Sequence, residues 1–125
     1  MKESVTGLSR DQSEKFYTSA SVVKMCVDWV RSKICVGSDD LVLEPSAGNG
    51  AFVGELQQFP GTSKFFDLYP DHPMVKKSDF LRLESTEWHG FNRIHTIGNP
   101  PFGRQSSLAI KFIKKAAGFS DSISF

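Results

Sequence analysis

The chain has 125 residues, of which 39% are hydrophobic and 23% charged, and its formal net charge is +1. This length limits it to one domain, and the composition is that of an ordinary soluble protein. The small net charge weakens the hypothesis that the chain binds duplex DNA, without excluding it. Cys26 and Cys35 lack the spacing of a metal site. Because we find no transmembrane run and no signal-peptide pattern, we expect an intracellular protein without membrane contact.

The first predicted element is a helix that follows a loose polar segment, residues 1–14. Thr18 or Ser19 is an acceptable N-cap for this helix. Apolar residues then recur at helical spacing and predict a face that packs on the core. They are Val22, Val23, Met25, Cys26, Trp29, Val30 and Ile34.

The next elements are a short apolar strand, Leu41–Leu43, an acidic glycine-containing loop, residues 44–50, and a helix that begins at Ala51. Gly48 and Gly50 allow the backbone torsions and the close ligand approach that a Cβ would prevent. The helix start offers unpaired N–H groups. The spacing matches neither the GxGxxG fingerprint nor a P-loop, so the pattern predicts another type of nucleotide-cofactor loop.

Strands and helices continue to alternate, which predicts an α/β fold with a mainly parallel sheet. The later elements are a helix end near Phe59, a strand Lys64–Phe66 followed by Asp67, a short edge strand or turn at Ser78–Leu81, a strand Ile94–Ile97, a helix from Ser106 or Ser107, and the start of a strand at Ser122–Phe125. Right-handed crossovers place the acidic loop and Asn99 at the carboxyl ends of neighbouring strands, where such sheets bind ligands.

Two motifs carry a resemblance to a known family. EPSAGNGAF, residues 44–52, resembles the cofactor loop of S-adenosylmethionine-dependent methyltransferases that act on amino groups, and NPPF, residues 99–102, resembles their catalytic tetrapeptide. The resemblance covers residues 14–125 and implies a Rossmann-like sheet with strand order 3-2-1-4-5-7-6. Since about five of the usual seven strands fit, we expect residues 15–125 to form the N-terminal portion of that domain. An incomplete sheet edge would then favour self-association or a partner chain.

The resemblance also implies the cofactor, S-adenosyl-L-methionine, and the residues that hold it. The acidic loop would hold the methionine part, Asp67 the ribose hydroxyls, Leu68 the adenine edge, and Asp79 with Phe80 the adenine ring. The segment at residues 16–18 resembles one that lines the methionine end. The residues so assigned are Tyr17, Thr18, Glu44, Pro45, Ser46, Ala47, Gly48, Gly50, Phe52, Asp67, Leu68, Asp79, Phe80 and Asn99. No metal ligand is expected.

The tetrapeptide Asn99, Pro100, Pro101 and Phe102 is the predicted catalytic element. The lone pair of an exocyclic amine is delocalised into the base, which makes the nitrogen a poor nucleophile. The Asn99 side-chain oxygen and the Pro100 carbonyl would accept its hydrogens, and Phe102 would stack on the base. Such catalysis consists mainly of positioning and electrostatics.

We therefore expect methyl transfer to an exocyclic amine, most simply N6 of adenine in nucleic acid, with DNA slightly favoured over RNA. The base would be flipped or unpaired to reach the site. One alternative is a protein glutamine methyltransferase, which related NPPY-type enzymes exemplify. Another is a catalytically silent module that binds the cofactor or serves a structural role and requires further sequence or a partner.

Overall fold

The structure is a computed structural model that describes residues 18–101 and 107–125. The predictions for segment 1–14 and for Tyr17, Phe102 and Ser106 lie outside the described residues. The elements are α1 (Ala20–Lys33), β1 (Leu41–Glu44), α2 (Val53–Leu56), β2 (Thr62–Asp67), β3 (Lys76–Lys77), β4 (Ile94–Ile97), α3 (Ser107–Ala117) and β5 (Ser122–Ser124). In these ranges no helix is both long enough and apolar enough to cross a membrane.

The strands form a five-stranded sheet in the order β3-β2-β1-β4-β5, and each observed pairing is parallel. The α/β prediction is confirmed, and the arrangement is consistent with a Rossmann-like fold. Leu43 of β1 lies opposite Lys64 of β2 on one side and Thr96 of β4 on the other. This register brings the carboxyl ends of β2, β1 and β4 to one edge of the sheet.

Alternate residues of β1 point to opposite faces of the sheet, as the twofold period of a strand requires. Val42 belongs to a core cluster that includes Val23 and Val27 of α1. Leu41 and Leu43 belong to a second cluster with residues of α3. The central strand is therefore covered on both faces, which explains its continuous apolar sequence.

Helix α1 begins as predicted, because the Ser19 hydroxyl accepts a hydrogen bond from the Val22 amide at 3.4 Å. The predicted core face is wrong for part of the stripe. The buried residues are Val23 and Val27, whereas the Trp29 side chain is 66% exposed. Val27 was not among the residues predicted for this face, and Val22, Met25 and Cys26 of the predicted stripe are exposed as well. The ammonium group of Lys33 lies 4.5 Å from the Trp29 ring centroid.

Two further element predictions require correction. The helix expected from Ala51 to near Phe59 contains only the four residues of α2. Gly54 lies within α2, and glycine weakens a helix interior. For the segment Ser78–Leu81, predicted as a short edge strand or a turn, only the strand alternative is wrong. Asp79 caps one turn of 3-10 helix over Phe80–Arg82, and its side chain accepts from the Leu81 amide at 3.0 Å.

The two edge strands of the sheet differ in chemistry. Strand β3 consists of two exposed lysines, Lys76 and Lys77, and charged side chains of this kind discourage pairing with another chain. Strand β5 presents Ile123 between two serines, and Ile123 is exposed. Among the described residues only the β3 edge therefore carries the charges that discourage strand addition.

The ring of Trp88 stacks on Phe119, with centroids 3.9 Å apart and planes inclined by 13°. The ammonium group of Lys115 lies 5.8 Å from the Trp88 centroid and donates to the carbonyl oxygens of Leu81 and Leu83 at 3.1 and 2.6 Å. These contacts fasten α3 to the segment between β3 and β4.

Candidate functional site

The acidic loop connects β1 to α2, and backbone hydrogen bonds within the loop and to β2 hold it in place. The Ala47 amide donates to the Phe66 carbonyl at 2.8 Å, and the Gly50 amide donates to the Ala47 carbonyl at 2.8 Å. The Val53 amide donates to the Gly50 carbonyl at 3.0 Å. The Ala51 amide donates to the Asn49 side-chain oxygen at 3.2 Å. The expectation of unpaired N–H groups at the helix start is therefore wrong for Ala51 and Val53, and α2 is too short to act as an anion-binding helix.

Asp67, at the end of β2, lies directly beside the loop. Its Oδ2 accepts a hydrogen bond from the Gly48 amide at 2.8 Å, and its Oδ1 accepts from the Tyr69 amide at 2.8 Å. The parallel pairing of β1 with β2 produces this proximity. The structure thus brings together two predicted site residues that are 19 positions apart in sequence.

The segment after β2 crosses over the loop, a contact that no local sequence pattern predicts. The Asp71 amide donates to the Gly48 carbonyl at 3.0 Å. Gly50 has φ +80°, and a Cβ there would collide with the ring of His72. His72 therefore explains the glycine at position 50 by a contact within the protein, without any ligand.

Gly48 has a different environment from Gly50. Its φ is +55°, a left-handed conformation that glycine adopts without strain. An added Cβ would find only Asp67 Oδ2 near it, at 4.0 Å. Space is therefore available over Gly48, next to a carboxylate, and this is the part of the loop that fits the approach of a ligand.

Glu44 ends β1 and is buried at the base of the site, with only 1% of its surface exposed. Among the described residues its buried Oε1 has no hydrogen-bond partner. Burial, and secondarily the negative charge of Asp67, raises the pKa of Glu44 to about 8. Buried polar atoms are usually hydrogen-bonded, so this oxygen retains the capacity to accept a hydrogen bond from a ligand.

The end of β4 packs against Glu44 through a glycine. A Cβ on Gly98 would lie 2.8 Å from the Glu44 Cγ and 3.2 Å from its Oε2, so only glycine fits this position. Asn99 follows directly and is exposed, and Pro100 after it is buried. The structure thus places the start of the predicted catalytic tetrapeptide beside the acidic end of β1.

The remaining predicted residues are placed as follows. Pro45 and Ala47 are buried, Thr18, Ser46, Phe52, Asp79 and Pro101 are half-buried, and Leu68 is exposed. The ring of Phe80 is 1% exposed and lies 5.0 Å from the ring of Phe112, so Phe80 is a core residue in this structure. Because the Phe80 ring is covered by core residues, it has no exposed surface for the predicted contact with an adenine ring.

A second group of polar residues lies at the opposite end of β1. Asp40 is 1% exposed, and its carboxylate accepts hydrogen bonds from the amides of Gly37 and Arg93 at 2.9 and 3.2 Å. His95 Nε2 lies 3.0 Å from Asp40 Oδ2, and His95 Nδ1 lies 2.8 Å from the Ser122 hydroxyl. Burial alone would raise the pKa of Asp40, but the hydrogen bonds from Gly37 and His95 outweigh it and hold that pKa below its ordinary value.

Comparisons with known proteins found no matching family model, no matching curated protein and no matching solved structure. In the described part of the chain, no group of three His, Cys, Asp or Glu side chains could hold a metal ion.

Proposed function

We propose that the chain binds S-adenosyl-L-methionine at the carboxyl edge of its sheet and directs the methyl group to an exocyclic amine, N6 of adenine in nucleic acid. The observation that carries this proposal is the convergence of two separated motifs. Glu44 of the acidic loop contacts Gly98, which immediately precedes the Asn-Pro-Pro segment. The resemblance of both motifs to amino-methyltransferases supports the same assignment.

The residues present fit the cofactor in charge and in shape. The partnerless Oε1 of Glu44 is suited to an ammonium group, which the amino-acid part of this cofactor carries. The open space above Gly48 accommodates a chain that passes over the loop. When bound, the cofactor supplies an electrophilic methyl group on a sulfonium centre.

Asp67 is suited to the ribose hydroxyls, although each of its oxygens already accepts one backbone hydrogen bond. A carboxylate oxygen has two lone pairs, so each can accept a second bond. The amides of Gly48 and Tyr69 then fix the direction of the carboxylate before the ligand arrives. Such preorganisation reduces the entropy that binding must overcome.

Asn99 and the Pro100 carbonyl would accept the hydrogens of the target amine and hold its nitrogen in line with the methyl group. The exposed side chain of Asn99 is accessible to a substrate, and the buried Pro100 anchors the backbone. Proline restricts φ, so both prolines stiffen the segment. Phe102 would stack on the base, and the methylated nitrogen would lose its proton to solvent after transfer.

We favour nucleic acid as the substrate, DNA slightly over RNA, with the base flipped out or unpaired and the protein acting inside the cell. A protein glutamine amide presents the same N–H hydrogens to Asn99 and remains the second candidate. A silent module would bind the cofactor and transfer nothing.

Calorimetry with S-adenosylhomocysteine tests the cofactor site directly. Gly48→Val should abolish measurable binding, because the new side chain fills the space above the loop. Gly54→Val is the matched control, since a Cβ at Gly54 meets nothing within 4 Å. Unchanged affinity in a folded Gly48→Val protein would remove the cofactor-loop assignment.

A transfer assay with methyl-labelled cofactor on DNA, RNA and protein pools identifies the acceptor. Asn99→Ala should abolish labelling and leave cofactor affinity nearly intact. Asn92→Ala, at another exposed asparagine, should change neither. Cofactor binding without labelling of any pool would establish the silent module, and full activity of Asn99→Ala would exclude amine activation by this residue.

We also propose that the β5 edge pairs with a second copy or a partner chain, as its exposed Ile123 and lack of charge suggest. Sedimentation should show self-association that Ile123→Lys reduces. A monomer at all concentrations would exclude pairing between copies.

A further inference from the structure

Glu44 has an environment that disfavours a negative charge in the free protein. Its side chain is 1% exposed, and Oε1 has no partner among residues 18–101 and 107–125. From β2 the carboxylate of Asp67 acts on it with the same sign of charge, and from the end of β4 the uncharged backbone of Gly98 packs against it. A buried carboxylate without compensating hydrogen bonds costs several kcal/mol, so such a group takes up a proton instead.

A protonated carboxyl group cannot form an ion pair with an ammonium group. The proposed cofactor brings an ammonium group to this position, and the new positive charge reverses the electrostatic balance at Glu44. An opposite charge within a few ångströms lowers the pKa of a carboxyl group, commonly by more than one unit. The bound state therefore favours the carboxylate, and the free state favours the acid.

We propose that Glu44 is a neutral acid in the free protein and releases its proton to solvent when it pairs with the ammonium group of the ligand. This inference rests on the proposed function. In the step the O–H bond of the carboxyl group breaks, its electron pair stays on oxygen, and the proton passes to the buffer. An N–H of the ammonium group then donates to that oxygen, and no other group changes its charge.

Proton release has a measurable size. Since the pKa of Glu44 is about 8, its acid form dominates at neutral pH. Binding of S-adenosylhomocysteine at pH 7 should release roughly 0.9 proton. The affinity should fall about tenfold for each unit that the pH is lowered below about 8, and it should level off above that value.

The experiment is calorimetry at several pH values between about 6 and 9, each in two buffers with different ionisation enthalpies, such as phosphate and Tris at pH 7. The difference in observed heat gives the number of protons released. 5′-Methylthioadenosine is the matched ligand control, because it keeps the adenosine part and lacks the amino acid. It should bind more weakly and release no proton. Glu44→Gln should bind S-adenosylhomocysteine with reduced affinity, without proton release and without the pH dependence.

The outcomes separate the inference from the proposed function. If neither ligand binds, both the cofactor proposal and this inference are wrong. If S-adenosylhomocysteine binds without proton release between about pH 6 and 9, the cofactor proposal stands and the inference is wrong. Release that persists in Glu44→Gln would assign the proton to another group and also overturn the inference.

Discussion

The two ends of β1 carry carboxyl groups that are equally inaccessible to solvent but whose pKa values shift in opposite directions. Asp40, just before the strand, and Glu44, at its end, are each 1% exposed. Asp40 accepts hydrogen bonds from two backbone amides and faces His95, whereas Glu44 Oε1 has no partner in the described part of the chain. The pKa of Asp40 is lowered by its hydrogen bonds despite burial, and the pKa of Glu44 is raised to about 8 by burial and by Asp67.

This difference separates a structural acid from a candidate ligand-binding acid on one strand. A buried charge whose hydrogen bonds are complete contributes to folding and has little capacity left for a ligand. A buried carboxyl group with an unused oxygen weakens the fold and is available to a binding partner. Two features distinguish the acids: Asp40 has backbone amide donors and faces His95, whereas Glu44 is desolvated beside the negative charge of Asp67.

The largest expected effect is the loss of Asp40. Asp40→Ala leaves His95 and the amides of Gly37 and Arg93 without their acceptor, and breaking such a buried network should lower the free energy of unfolding by about 3–5 kcal/mol. Chemical denaturation measures the change. Asp39→Ala, at the exposed neighbouring position, is the control and should remain within about 0.5 kcal/mol of the unchanged protein. A loss below about 1 kcal/mol for Asp40→Ala would contradict the structural role.

Glu44→Gln should have the opposite sign. The folded pKa of Glu44, about 8, lies above the ordinary value of 4.5. Its contribution to stability is therefore complete below pH 4.5 and is lost as the pH rises through about 8. Between about pH 5 and 7 the unchanged protein should lose roughly 2–3 kcal/mol relative to Glu44→Gln, which has no proton to lose at this position.

Denaturation of both proteins across this range gives the difference directly, and other titrating groups cancel in it. Asp40 acts in another window, since its lowered pKa makes its contribution present above 3.8 and lost at more acidic pH. A pH-independent difference between Glu44→Gln and the unchanged protein would show that Glu44 is already ionised in the fold.

The smallest expected effect concerns Ser122, which contacts His95 on the side away from Asp40. Ser122→Ala removes the hydroxyl that lies 2.8 Å from His95 Nδ1, and one such hydrogen bond contributes about 1 kcal/mol to stability. Ser124→Ala is a control on the same strand and should be nearly neutral. If both substitutions changed the free energy of unfolding equally, the hydrogen bond between Ser122 and His95 would contribute nothing to stability.

The sequence predicts which strand ends lie together better than it predicts the contacts around them. The apolar run before Glu44, the Asp67 strand end and the strand before Asn99 are local patterns, and the parallel α/β rules then bring them to one edge. The contact between His95 and Asp40 joins residues 55 positions apart, and no local pattern encodes it. No local pattern encodes the position of His72 over Gly50 either, because His72 lies in an irregular segment between Pro70 and Pro73.

The errors in the helices have a simpler physical origin. The seven apolar residues predicted for the first helix cover more of its circumference than one core face requires, and they omit the buried Val27, so periodicity alone could not assign Trp29 to solvent. In α2 the glycine and the nearby Pro60-Gly61 pair shorten an element whose apolar spacing favoured a longer one. Element types were predictable in both cases, and the orientation of α1 and the length of α2 were not.

The stacked pair Trp88 and Phe119 gives the protein an optical reporter of its own. The chain has two tryptophans, and the other, Trp29, faces solvent on α1. Fluorescence from the shielded indole of Trp88 should therefore shift to longer wavelength when α3 separates from the sheet, while that of Trp29 changes little. Trp29→Phe would leave Trp88 as the single emitter, and its spectrum would then follow the packing of α3 and the adjoining β5 edge in real time.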